Sequence, residues 1–78
     1  MASTIKNRKQ EEGKMKFYHV EFFMLGDPTA HTRIIVTDKF DQWKKMLENT
    51  GALLVIEKEL TAQEAMNGQK YYKVLLYV

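Results

Sequence analysis

The sequence predicts an α+β domain: a two-layer sandwich of a four-stranded, mostly antiparallel sheet with one main helix on one face, in the order β-β-α-β-short helix-β. Three observations predict it. Apolar side chains recur with a period of two in four segments, residues 16–25, 33–37, 52–60 and 70–78. Between the second and third segments the period becomes helical, at Phe40, Trp43, Met46 and Leu47. A capping-box sequence, Thr61 to Glu64, opens a further short helix before the last strand.

The first strand, KFYHVEFFML, sets Tyr18, Val20, Phe22 and Met24 on one side and Phe17, His19, Glu21, Phe23 and Leu25 on the other. Apolar groups therefore stand on both of its faces. Gly26, Asp27 and Pro28 break the strand. RIIVT is its return partner, with Ile34 and Val36 inward and Arg33, Ile35 and Thr37 outward. Asp38 is the expected N-cap of a helix over residues 38–51, Asp41 supports the same end, and Gly51 closes it in left-handed backbone. Residues 52–60 place Leu54 and Ile56 inward and Leu53 and Val55 outward. The short helix is pinned through Met66 and closed by Gly68, since one turn is marginal without packing. The final strand, KYYKVLLYV, turns Tyr72, Val74 and Leu76 inward and Tyr71, Lys73, Leu75 and Tyr77 outward. Two sheets satisfy this pattern: one wholly antiparallel, and one whose first and last strands pair in parallel at the centre. The order of elements resembles that of β-grasp domains, and this resemblance of architecture implies the parallel central pair.

A chain of 78 residues has room for one domain, expected over residues 15–78. Residues 1–14 are expected to be a disordered basic tail, because their low hydrophobicity does not offset the entropy of ordering. The formal charge of +2 is concentrated there. Residues 1–16 hold five bases against two acids, and the remaining seven bases and eight acids leave the rest at −1. Such a balance argues against a sheet that tracks phosphates, which needs a basic surface. With no cysteine, disulfides, thiolate metal ligands and a thiol nucleophile are excluded together. Apolar runs are too short for a membrane span, and the opening residues lack the apolar stretch of a signal peptide. A soluble, cytoplasmic protein is expected.

No common catalytic constellation is present in the sequence. His19 and His31 lack metal-chelating spacing, and no nucleophile elbow, phosphate loop, dinucleotide fingerprint or carboxylate pair occurs. Asp27 stands four residues before His31, a spacing that suits a loop hydrogen bond. No enzyme activity, cofactor, metal or small-molecule substrate is expected.

The second face of the sheet is then the feature that calls for a partner. Contiguous apolar surface rimmed by polar groups marks contacts with other proteins. Phe17, His19, Phe23, Leu25, Ile35, Tyr71, Lys73 and Tyr77 are the expected contact residues. The corresponding function is a non-enzymatic adaptor or inhibitor that modulates a larger protein, of a size and design frequent among phage-encoded factors that redirect host enzymes. Two alternatives use the same residues differently. A single-stranded nucleic-acid binder would stack bases on Phe17, Phe23, Tyr71 and Tyr77 and hold phosphates with Lys6, Arg8, Lys9 and Lys14. A homodimer would bury the face against its twin.

Overall fold

The computed structural model describes residues 14–78. The elements follow in the predicted order: β1 (Lys16–Phe23), β2 (Ala30–Thr37), α1 (Phe40–Asn49), β3 (Leu53–Leu60), α2 (Ala62–Gly68) and β4 (Lys73–Tyr77). The α+β class, the four-stranded mostly antiparallel sheet and the main helix on one face are those the sequence predicts. The expected tail lies, apart from Lys14, outside the described residues.

Strand order is β3-β1-β2-β4, with β1 antiparallel to both of its neighbours and β4 parallel to β2. The last strand therefore sits at an edge, and the sheet is neither wholly antiparallel nor built on the central parallel pair that the β-grasp resemblance implies. Its direction follows from the connection before it. A helix returns the chain to the end where the previous strand began, so the next strand must run the same way. β2, β3 and β4 all run opposite to β1.

The two helical connections move in opposite directions across the sheet. α1 carries the chain from β2 over β1 to β3, and α2 carries it back from β3 over β1 and β2 to β4. Crossovers of parallel strands strongly prefer one hand, and opposite movements keep the same hand only on opposite faces. The helices do lie on opposite faces.

Under α1, Val20, Phe22 and Ile35 meet Trp43, Leu47 and Ala52, with Tyr18, Phe40, Leu54 and Tyr77 packed around them. An aromatic row runs through this layer. Tyr18 stacks on Phe40 at 4.1 Å, Phe40 on Trp43 at 5.5 Å, and Phe22 meets Trp43 edge-on and His31 face-on. The other face carries Ile34, whose terminal methyl lies so close to Gly68 that a β-carbon there would stand 2.7 Å from it. Tyr72 turns its ring edge-on to His19 at 5.3 Å on that same face. Ala65 is the buried residue of α2.

Several inward assignments are corrected by this arrangement. Ile34 and Val36 face α2, and Ile35 and Thr37 lie on the α1 side with Tyr18 and Lys16, their register partners. Ile34 and Ile35 are 1% and 0% exposed, because helices cover β2 from above and below. In β4 the parallel register aligns Leu75 and Tyr77 with Ile35 and Thr37, so these, rather than Val74 and Leu76, point toward α1. The β3 register slips opposite Glu21 and Phe22, so Leu54 stays on the α1 side while Ile56 moves to the other. Met24 falls beyond the end of β1, and Met46 lies beside the Phe40–Trp43–Leu47 stripe; both are exposed. Met66 is exposed as well, because Ala65 and Gly68, three residues apart, form the face of α2 that meets the sheet, and Met66 stands off that face.

Helix ends follow the predicted chemistry in part. Thr61 accepts from the Glu64 amide at 3.1 Å, and the Glu64 carboxylate accepts from the Thr61 amide at 2.9 Å, a complete capping box. Those bonds hold the Glu64 carboxyl below its ordinary range. Gly51 has φ of 89°, as predicted, while Gly68 is an ordinary helical residue. Asp38 does not cap α1. The helix starts one residue later than a cap at that position requires, at Phe40, and Thr37 Oγ1 takes the Lys39 amide at 2.9 Å.

Burial is the largest influence on the Tyr18 hydroxyl, with Glu59 and Asp41 adding to it, and all three push its pKa above the ordinary tyrosine value. The folded state then binds this proton more tightly than the unfolded chain does. Stability from this source is present below about pH 10 and is lost as pH rises through the folded pKa. In a spectrophotometric titration Tyr18 is expected to ionise later than the ordinary tyrosine value of about 10. Tyr18→Phe should remove that late step and weaken the alkaline loss of stability, whereas an unchanged titration would contradict the assignment.

Candidate protein-binding surface

With both central strands covered, two groups of exposed apolar side chains stand out on the sheet among the described residues, apart from Met46 and Met66 on the helices. One lies at the end of the α2-side face that α2 does not reach. There Phe23 pairs with Leu53, and Glu21 with Ile56. Leu53 is 63% exposed and Ile56 is exposed, whereas Phe23 is half-buried between its neighbours. The register slip in β3 is what places Leu53 and Ile56 on one face, since simple alternation would separate them.

Leu25 stands at the same end of the sheet. The Asp27 amide donates to the Met24 carbonyl at 3.0 Å and Gly26 has φ of 80°, which together close a turn with Leu25 at its corner. Asp27 also fixes the chain on the far side of the turn. Its Oδ1 accepts from the Thr29 amide at 2.9 Å, and its Oδ2 lies 3.1 Å from His31 Nε2, the loop hydrogen bond that the spacing predicts. The Thr29 amide first and His31 second hold the Asp27 carboxyl below its ordinary range. Leu25 itself is 79% exposed and rests on Gly51.

The second uncovered region is β4 and its approach. Tyr71 is exposed and meets Tyr72 edge-on at 6.4 Å, and Val74, Leu75, Leu76 and Val78 are all exposed. Among the described residues no strand pairs with the outer side of β4.

The expected contact residues therefore do not share one surface. Phe17, His19 and Phe23 occupy the α2 side and are half-buried; Leu25 projects from the turn. Ile35 is sealed beneath α1 and is inaccessible to any partner, a correction that follows from the β2 register. Lys73 and Tyr77 lie on the α1 side, with Tyr77 packed against the core, and Tyr71 precedes β4. The stacking platform of the nucleic-acid alternative is divided in the same way, since Tyr77 faces away from Phe17 and Phe23. Of its basic residues Lys14 is exposed, and Lys6, Arg8 and Lys9 lie outside the described residues. Alternation alone assigns Leu53 to the outer face. Ile56 and Leu76 require the bulge and the parallel register, neither of which alternation reveals.

Ionic groups sit mostly around the β3 edge. Lys44 of α1 reaches Glu57 at 2.7 Å, which holds the ammonium pKa up, and Lys58 lies 4.0 Å from Glu64. Both pairs are exposed and contribute little to stability. His19 and His31 lie on opposite faces, so the histidines do not converge. Among the described residues no group of three or more His, Cys, Asp or Glu is placed to hold a metal ion, and no helix is long and apolar enough to cross a membrane. No protein-family model, curated protein or solved structure matches this chain.

Since Leu53 and Leu76 are supported on one side only, neither is part of the core. Leu53→Asp and Leu76→Asp should each move the unfolding free energy of the single chain by no more than about 0.5 kcal/mol in urea titrations at low protein concentration. Ile34→Asp should abolish cooperative unfolding, because its charge would be buried without a partner. Equal destabilisation by all three would mean that the two leucines are structural.

Proposed function

We propose that this chain is a small non-enzymatic protein-binding module, an adaptor or inhibitor that acts on a larger partner through the open end of its α2-side sheet face. One observation carries the reading: Leu25, Leu53 and Ile56 are exposed at the same end of the sheet, beside half-buried Phe23, where neither helix covers them. An apolar surface of this kind, with Glu21 and Thr32 between and beside it, suits a protein contact better than a solvated face. Leu25 is presented on a turn closed by backbone and carboxylate hydrogen bonds, so it is held in place before binding and less entropy is lost on docking. His19 and His31 stand on opposite faces of the sheet, an arrangement that suits a binding role better than a catalytic one.

Affinity capture from extract of the source cells tests this, using the full chain, Leu53→Asp and a control on the outer side of α1, Lys45→Asp. A single saturable protein should be retained by the wild type and the control, and its retention should fall at least about tenfold with Leu53→Asp. Equal retention by all three, or retention abolished by nuclease, would overturn the reading, the latter in favour of nucleic acid.

A further inference from the structure

We infer that the chain associates with a second copy of itself by antiparallel pairing of β4 with β4, joining two sheets edge to edge. The surface is separate from the docking face proposed above, so either can fail without the other.

The two edges of the sheet differ in how they are protected. β3 carries Glu57, Lys58 and Glu59 in succession and a register slip near its middle, both of which discourage strand addition. Self-pairing of β3 centred on Glu57 sets glutamates opposite each other, and centring on Lys58 sets lysines opposite each other and Glu57 opposite Glu59. β4 has none of this protection. Lys73–Tyr77 holds no acid, proline or glycine, and its side chains are exposed apart from half-buried Tyr77.

The sequence of β4 is also complementary to itself. The register that pairs the whole strand with its copy is centred on Leu75, and in antiparallel strands directly opposite residues share a face. On the α2 side Val74 then meets Leu76 of the other copy, in both senses, and Tyr72 meets Val78. On the α1 side Leu75 meets Leu75, while Lys73 stands across from Tyr77. The one cation of the strand thus faces an aromatic ring instead of its own copy, which removes like-charge repulsion and adds a cation–ring contact. A two-fold axis midway between the two Leu75 residues, perpendicular to the sheet, keeps each α1 on the same side of the joined sheet, so the helices do not collide across the seam. Eight strands would then run continuously, and Val74, Leu75 and Leu76 of β4 would lose exposure to water.

Sedimentation velocity of the full chain over a concentration series, with Val74→Glu, Leu76→Lys and the double variant carrying both, tests the pairing and its register. The wild type should approach twice the chain mass with rising concentration. Each single substitution should weaken the dimer at least about tenfold, and the double variant should regain it, because each new glutamate then faces a new lysine across the seam. Leu53→Asp should leave it unchanged. Circular dichroism melts confirm that each variant is folded. A wild type that stays monomeric throughout, or a dimer that neither single substitution weakens, overturns the inference. Loss in both singles without recovery in the double overturns the register centred on Leu75.

Discussion

The constraint on which the rest of the structure depends is the double coverage of the two central strands. Ile34 and Ile35 are neighbours in sequence and point in opposite directions, yet both are almost completely buried. That is possible only in a strand covered above and below. Trp43 and Leu47 of α1 supply one cover, and Gly68 with Tyr72 at the end of α2 supplies the other. Each isoleucine contributes roughly 1.5–3 kcal/mol by leaving water. In a domain of this size, with few side chains to spare, using both faces of β2 offsets the poor ratio of volume to surface.

Placement of the helices follows from chain order once this is recognised. Helical connections that step outward in opposite directions must use opposite faces to keep one hand, so the short helix was bound to the side that the main helix leaves open. Being only seven residues long, α2 covers part of that side and no more. Its capping box starts it cleanly at Thr61, and the lack of a β-carbon at Gly68 lets it close on Ile34. What it leaves bare, around Leu53 and Ile56, is the surface on which the proposed docking rests. The far edge, β4, is bare for a different reason: among the described residues it is last in the sheet and pairs only with β2.

Element types and order were legible in the sequence because each carries a local signal. The Phe40–Trp43–Leu47 spacing, the Thr61–Glu64 cap, and glycines at positions 26 and 51 all act within a few residues of themselves. Face assignments were less legible. Alternation assumes one wet side, and three β-branched or aliphatic residues in a row, Ile34, Ile35 and Val36, are the mark of a strand without one. The same explanation accounts for the apolar groups on both sides of Phe17 to Phe23. Of the expected contact residues, Leu25 was readable because a Gly-Asp-Pro turn exposes whatever precedes it. Alternation misplaces Ile35 because its register depends on β1, and the position of Ile56 depends on a bulge that no local rule reveals.

Proton–proton contacts in the folded chain test the double coverage most directly. The Ile34 δ-methyl should show nuclear Overhauser contacts to the Gly68 α-protons and the Tyr72 ring, while Ile35 shows them to Trp43. Contacts from Ile34 to Trp43, or the absence of any from α2 to the sheet, would contradict the account, since β2 would then have one covered face and the bare surfaces would lie elsewhere.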